Sequence, residues 1–317
     1  MTLKRMLILL VLLLMSVTGW VNARQATPVP CATAEINVVA TIGMIADVAQ
    51  NIGGTCAEVT ALMGAGVDPH LYTATERDVE TLFNADLILY GGLNLEARLI
   101  DVFEQIESGM GTPVVAVSEN VPEEERLQEI ALNATDPHVW MDVALWRTAA
   151  EAIRDAFTAY APQHEAFFAA NADAYFAELD ALDAYAEEQI ALIPEDQRVL
   201  VTAHDAFQYF GRAYGIDVYA PQGITTESEV GIQDIRETIE LIIDRDIPAI
   251  FIETSVSPDV IEAIIEGAAA QGHTVIIGGA LYSDAMGDAD TEAGTYIGMI
   301  RHNVDTIVTG LLGEAAE

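Results

Sequence analysis

Residues 163–193, QHEAFFAANADAYFAELDALDAYAEEQIALI, decide how the rest of the chain is read. Ala, Glu, Leu and Asp dominate the stretch, and no Gly or Pro occurs between Pro162 and Pro194. About thirty helical residues rising about 1.5 Å each span roughly 45 Å, against an ordinary helix of about 11–12 residues. A helix of that length crosses from one lobe to another as a rigid strut. A helical hairpin inside one lobe is the alternative.

Both flanks alternate short apolar runs with helical periodicity. Before the strut, strands are expected over 36–41, 58–62, 87–90 and 114–117, with helices over 43–52, 75–84 and 95–106 between them. An acidic connector follows over 118–135, then a helix over 143–160. After the strut, strands are expected over 199–202, 217–219, 249–252 and 274–277. Helices are expected over 205–213, 230–245, 258–271 and 292–312. The strand runs are rich in Val, Ile and Leu without alternation, as in parallel strands buried on both faces. The fold class is therefore α/β: two doubly wound lobes, each built on four strands, joined by one long rigid helix, with a cleft between them. The expected division is 24–161, 162–193 and 194–317.

At 317 residues and 51% hydrophobic, the chain suits two modest packed interiors. Its first 23 residues stand apart. Lys4 and Arg5 precede an apolar run over 6–17, and Val21-Asn22-Ala23 offers a small-residue cleavage site. That is the pattern of a signal peptide over 1–23, with an uncleaved anchor as the alternative. The mature protein is expected outside the cytoplasm, in the periplasm or on the outer face of the cytoplasmic membrane. Formal net charge is −37; removing 1–23 takes away two basic residues and no acid, leaving 11 against 50, or −39. Such a charge repels nucleic acid and anionic lipid, which disfavours both as partners.

Cys31 and Cys56 lie 56 − 31 = 25 residues apart, each just before an expected strand. Parallel neighbours stand about 4.8 Å apart, within disulfide reach, and an exported chain favours a bridge. A lipid-modified Cys31 is the rival reading. Val29-Pro30 lacks the small residues expected before such a cysteine.

The chemistry gathers in four residues. His70 and His138 each close an Asp-Pro-His tripeptide, His204 stands in Val-Thr-Ala-His-Asp, and Asp284 in Leu-Tyr-Ser-Asp-Ala-Met-Gly. Three imidazoles and a carboxylate complete a coordination set for a divalent metal such as zinc. Their separations, 138 − 70 = 68, 204 − 138 = 66 and 284 − 204 = 80, rule out a local loop. Only strand ends meeting at one cleft unite them, and open α/β sheets place their ligands there. Pro before each turn histidine stiffens the backbone that presents it. Asp68 and Asp136 are candidates to accept the histidines' other N–H, with a plain turn role as the alternative. Asp205 and Glu253 are further candidates of that kind, and Glu253 is the reserve fourth ligand. His164, His273 and His302 read as surface or capping residues. Neither His-Glu-x-x-His, Gly-x-Ser-x-Gly nor a phosphate-binding Gly-x-x-x-x-Gly-Lys occurs.

The stretches 66–72 (GVDPHLY), 136–142 (DPHVWMD), 199–215 (VLVTAHDAFQYFGRAYG), 222–229 (QGITTESE) and 281–308 closely resemble the TroA-like zinc/manganese-binding proteins. These are the cluster A-I solute-binding components of metal ABC transporters. The resemblance covers essentially the whole mature chain. It implies two α/β lobes on one long helix, with His70, His138, His204 and Asp284 holding the transported Zn2+, or Mn2+ in its place. It also implies a membrane permease with a cytoplasmic ATPase as partner, the binding protein itself being a monomer. Manganese-preferring members tend to carry glutamate at the third position, where this chain has His204. The histidine-rich loop of the zinc-specific branch has no counterpart in 118–135. A metal-dependent adhesin and a zinc hydrolase are the alternatives; four protein ligands leave a hydrolase little room for its water.

Overall fold

The computed structural model describes residues 31–130 and 133–313; the export signal expected over 1–23 lies outside the described residues. Strands β1 (Ile36–Ala40), β2 (Ala57–Ala61), β3 (Leu87–Tyr90) and β4 (Val114–Ala116) form one sheet in the order β2-β1-β3-β4. Every neighbouring pair is parallel. Parallel pairing requires long crossovers, supplied by α1 (Gly43–Gly53), α2 (Glu76–Phe83) and α3 (Ile100–Met110). Central β1 and β3 are buried almost throughout, whereas edge strands β2 and β4 are not. Only the central pair is covered on both faces and flanked on both sides.

The acidic connector folds into short turns and a two-residue antiparallel ladder, β5 (Gln128–Glu129) with β6 (Ala134–Thr135). Helix α4 (Val143–Tyr160) follows, then α5 (Glu165–Ile190). At 26 residues α5 is about 39 Å long. It starts later than 163 because Pro162–His164 forms a separate 3-10 turn. One stripe of α5 is buried from Phe168 through Tyr175, Leu179 and Leu182 to Ile190. Its two ends are tied to different parts of the molecule. Asn171 donates to the Ile52 carbonyl at 2.9 Å and the Tyr175 hydroxyl to Asp47 at 2.9 Å. Further along, Asp183 accepts from the Tyr214 hydroxyl at 2.9 Å, and Asp305 from Tyr185. The stretch is one continuous helix that packs along α4 and does not fold back on itself as a hairpin.

In the second half β7 (Val199–Val201) pairs in parallel with β8 (Asp217–Tyr219), and β9 (Ala249–Glu253) with β10 (Ile276–Leu281). Strand β7 lies beside β9. Helices α6 (Gln208–Tyr214), α7 (Ile232–Asp244) and α8 (Asp259–Ala270) connect them, and α9 (Tyr296–Leu312) returns over α5.

Two boundaries differ from the sequence reading in ways that matter to the site. Strand β10 begins two residues late and runs through Gly278-Gly279, past the expected end at 277. A Cβ on Gly278 would come within 2.7 Å of the Phe251 ring, and Gly279 has φ +147 at a register shift. The glycines let the strand continue across Phe251, so it ends at Leu281, three residues before Asp284. Helix α6 begins at Gln208 and not 205, because the backbone of 203–205 is engaged with neighbouring strand ends.

The expected pair of separate interiors is also modified. One core runs unbroken from β1 and α1 through α4 and α5 to α6 and α9; a smaller one lies beneath α7 and α8, around Ile239, Ile250, Ile261 and Ile264. Close-packed interiors resist hinge bending. X-ray scattering profiles recorded with and without metal should therefore superimpose; a clear change in radius of gyration would refute a rigid connection.

Cys31 and Cys56 form a disulfide at the starts of β1 and β2, Cα atoms 4.9 Å apart. No helix among the described residues is long and apolar enough to cross a membrane.

Candidate metal centre

Each of the four candidate donors is placed by the end of a strand or by a rigid turn. His70 lies in the loop after β2, and Asp68 Oδ1 accepts its backbone N–H at 2.8 Å. His138 repeats that turn after β6, with Asp136 Oδ1 accepting its N–H at 2.9 Å. His204 and Asp284 each follow their strand, β7 and β10, by three residues. The loops after β2, β7 and β10, at the carboxyl ends of parallel strands, thus converge with the turn after the β5–β6 ladder on one point.

At that point the donor atoms of His70, His138, His204 and Asp284 all lie within 4.8 Å of one another. His138 Nε2 is 3.4 Å from both His70 Nε2 and His204 Nε2. Asp284 Oδ1 is 3.3 Å from His138 Nε2, and its Oδ2 is 3.4 Å from His204 Nε2 and 3.8 Å from His70 Nε2. A tetrahedron with metal–donor bonds of about 2.0–2.1 Å has edges of about 3.3–3.4 Å. The two distances between imidazole nitrogens match such an edge, while Asp284 turns Oδ1 towards His138 and Oδ2 towards His204 and His70, so both of its oxygens face the site. All four residues are buried, His70 at 4% exposure and the rest at 1% or less. Both Asp284 oxygens are buried without a hydrogen bond from any described residue. A buried carboxylate is costly unless a cation or donors compensate it, so the donor set fits a divalent metal.

The surrounding carboxylates fix the imidazoles. His138 Nδ1 donates to Asp136 Oδ1 at 2.7 Å, and His204 Nδ1 to Glu253 Oε2 at 2.5 Å. With Nδ1 carrying its proton into these bonds, Nε2 is the nitrogen turned inward in both rings. Glu253 Oε1 also accepts the N–H groups of Ala203 and His204, each at 2.9 Å. Glu253, read as a reserve ligand, thus holds a histidine and its backbone. Asp68 supports only the turn of its histidine, and its second oxygen accepts from the Thr226 hydroxyl at 2.5 Å. Asp205 turns away to Gln208 at 2.8 Å.

Trp140 was not singled out from the sequence. Its ring meets His138 edge-on with centroids 5.2 Å apart, and its Nε1 donates to the Ser283 carbonyl at 2.9 Å. It braces the His138 turn against the residue before Asp284. Its place two residues after an Asp-Pro-His turn was the available signal. His273 and His302 bond to backbone carbonyls elsewhere. His164 joins Cys31 and Cys56 in a second convergent group, but those sulfurs are already bonded to each other.

Burial lowers the pKa of His70 to about 3, prevailing over nearby Asp284. Burial acts the same way on His138, yet Asp136 and Asp284 outweigh it and raise the value to about 10. In His204 burial is likewise outweighed, by Glu253 and Asp284, and the value rises to about 9. Burial raises Asp284, but the imidazoles override it and hold the carboxyl well below the usual range. Burial pushes Asp205 up to about 6 and also raises Asp68.

Residues 38–310 match the family model of ZnuA, the periplasmic component A of a zinc-uptake complex. The chain is 46% identical over 280 residues to the manganese-binding lipoprotein MntA of Bacillus subtilis (strain 168), covering 88% of this chain and 91% of the relative. It is 49% identical over 274 residues to the zinc-binding protein TroA of Treponema pallidum (strain Nichols), covering 86% and 88%. The solved structure of the periplasmic zinc-binding protein TroA from Treponema pallidum superimposes with a TM-score of 0.85 at 48% identity, covering 87% of this chain and 99% of that one.

Proposed function

The chain belongs to the ZnuA family of zinc-uptake components, and from that premise we propose that His70, His138, His204 and Asp284 bind one divalent ion, zinc ahead of manganese, for delivery to a permease. The protein is a metal-binding component of an ABC transporter and not an enzyme, and it works outside the cytoplasm. The ion is its cargo. With lobes bounded at 24–161 and 194–317 and the strut at 162–193, each lobe supplies two donors. Every donor comes from one chain, so a monomer suffices. The partner is the membrane permease, driven by its cytoplasmic ATPase.

One observation carries the ligand assignment: three inward-facing imidazoles and one carboxylate, all buried and drawn from distant parts of the chain, bring their donor atoms within 4.8 Å of one another. The nitrogen-rich donor set supports zinc. Tetrahedral nitrogen-rich sites suit zinc, whereas manganese favours more oxygen ligands and stands lower in intrinsic affinity. The sulfur of Cys31, bonded to Cys56, is not free to carry a lipid thioether.

The test is metal analysis of protein purified without chelator, followed by competition. Zinc should be retained at one ion per chain, with roughly a hundredfold excess of manganese needed to displace it. Displacement by equimolar manganese would remove the zinc preference while leaving the ligand set intact.

A further inference from the structure

His138 and His204 are held by carboxylates on their Nδ1 atoms. The His70 turn is held from outside, by the segment 222–227 across the cleft. Gln222 pairs with His204 in an isolated parallel bridge, and its backbone N–H donates to the Ala203 carbonyl at 3.2 Å. The Gln222 side chain donates to the carbonyls of Thr226, at 3.2 Å, and Ser228, at 2.7 Å. The Thr226 hydroxyl donates to Asp68 Oδ2, whose other oxygen holds the His70 N–H. Beyond His70, Arg98 donates to the Leu71 carbonyl at 2.8 Å and pairs with Glu227 at 3.1 Å. Hydrogen bonds therefore connect the backbone of His204 to that of His70 without passing through the metal position. They grip the His70 turn on both sides, at Asp68 and at Leu71.

We propose that residues 222–227 form a strap that positions His70 over the cleft, through Thr226 on Asp68 and Glu227 on Arg98, and so sets how fast the metal escapes. This rests on the metal reading above and adds residues that do not touch the ion. Association depends on the open site and on charge, whereas release requires the His70 turn to lift. The strap therefore acts mainly on the dissociation rate. Thr226 is the stronger element, because its hydroxyl meets a carboxylate in a half-buried setting. The Arg98–Glu227 pair is nearly half exposed and therefore weaker and sensitive to salt.

The experiment loads the full chain with Co2+, whose visible spectrum reports the ligand set, and measures release into excess chelator by stopped flow. Thr226→Val keeps the shape of the side chain and replaces the hydroxyl with a methyl group. It should speed release by about tenfold and leave the association rate and the cobalt spectrum unchanged, as expected for loss of a charge-assisted hydrogen bond. Thr226→Ser should restore slow release, and Glu227→Gln should speed release less, with the difference from wild type vanishing at high salt. A Thr226→Val protein that releases at the wild-type rate, or a Thr226→Ser protein as fast as Thr226→Val, overturns the strap alone. A wild-type chain that takes up no cobalt overturns the metal reading and the strap with it.

Discussion

Asp284→Asn should cost the protein its tight hold on metal, lowering zinc affinity by roughly a hundredfold or more while the fold survives. The side chain is fully enclosed, and its two oxygens face the three imidazoles at 3.3 to 3.8 Å without a hydrogen bond of their own. Asparagine keeps that shape and removes the negative charge. The ion would then face three neutral nitrogens and an amide, and the attraction that offsets its lost hydration would fall sharply. Glu253→Gln is the informative contrast. Glu253 touches the Nδ1 side of His204 and so acts on the ring's tautomer and aim. Its loss should weaken binding by about ten- to a hundredfold. Chelator competition gives both affinities, and circular dichroism confirms the fold. Unchanged affinity in Asp284→Asn would strike that residue from the ligand set.

The four candidate donors could be picked out because each sits where chain chemistry and topology agree. Asp-Pro-His marks a stiff turn wherever it occurs, and a polar residue just past a buried apolar run marks a strand end. What surrounds them was harder to read, because it depends on register between distant strands. Glu253 ends β9, and only the adjacency of β7 and β9 reveals that its carboxylate meets the Nδ1 side of His204 and not the centre of the cluster. Asp68 and Asp136 occupy identical tripeptides yet do different work. Asp136 reaches the imidazole, whereas Asp68 reaches across the cleft to Thr226. No local pattern distinguishes them. The alternation of strands and helices settled the fold class, but the last strand, expected to end at 277, runs on through Gly278-Gly279 to Leu281. Glycine marks both a chain reversal and a close approach, and only the Phe251 ring beside it tells which. The continuity of the main core through α5 was hidden for a similar reason. A stripe of buried residues shows which face of a helix packs, not how many partners share it.

The second large effect is an exchange of protons for metal. In metal-free protein at pH 7, His138 and His204 hold their protons, with pKa values raised to about 10 and 9, while His70, lowered to about 3, is neutral. Binding through Nε2 must expel the two protons, so about two should be released per ion at pH 7. Apparent affinity should then rise by up to about a hundredfold per pH unit near neutrality and level off above about pH 10. The stability of metal-free protein should run the other way. A histidine pKa raised on folding contributes stability that is complete below its unfolded value of about 6.5. That contribution is lost as pH climbs through the folded values of about 9 and 10. Calorimetric titration with zinc in buffers of different ionisation enthalpy counts the protons, and thermal melts of metal-free protein from pH 6 to 10 follow the stability. Release of fewer than one proton at pH 7, or a melting temperature that rises across that range, would show that the imidazoles are not charged before the ion arrives. The exchange has a physical consequence for a buried site. Two protons leave as one divalent ion enters, so the formal charge around Asp284 is the same before and after. The enclosed cluster is thereby spared the cost of carrying an uncompensated charge in either condition.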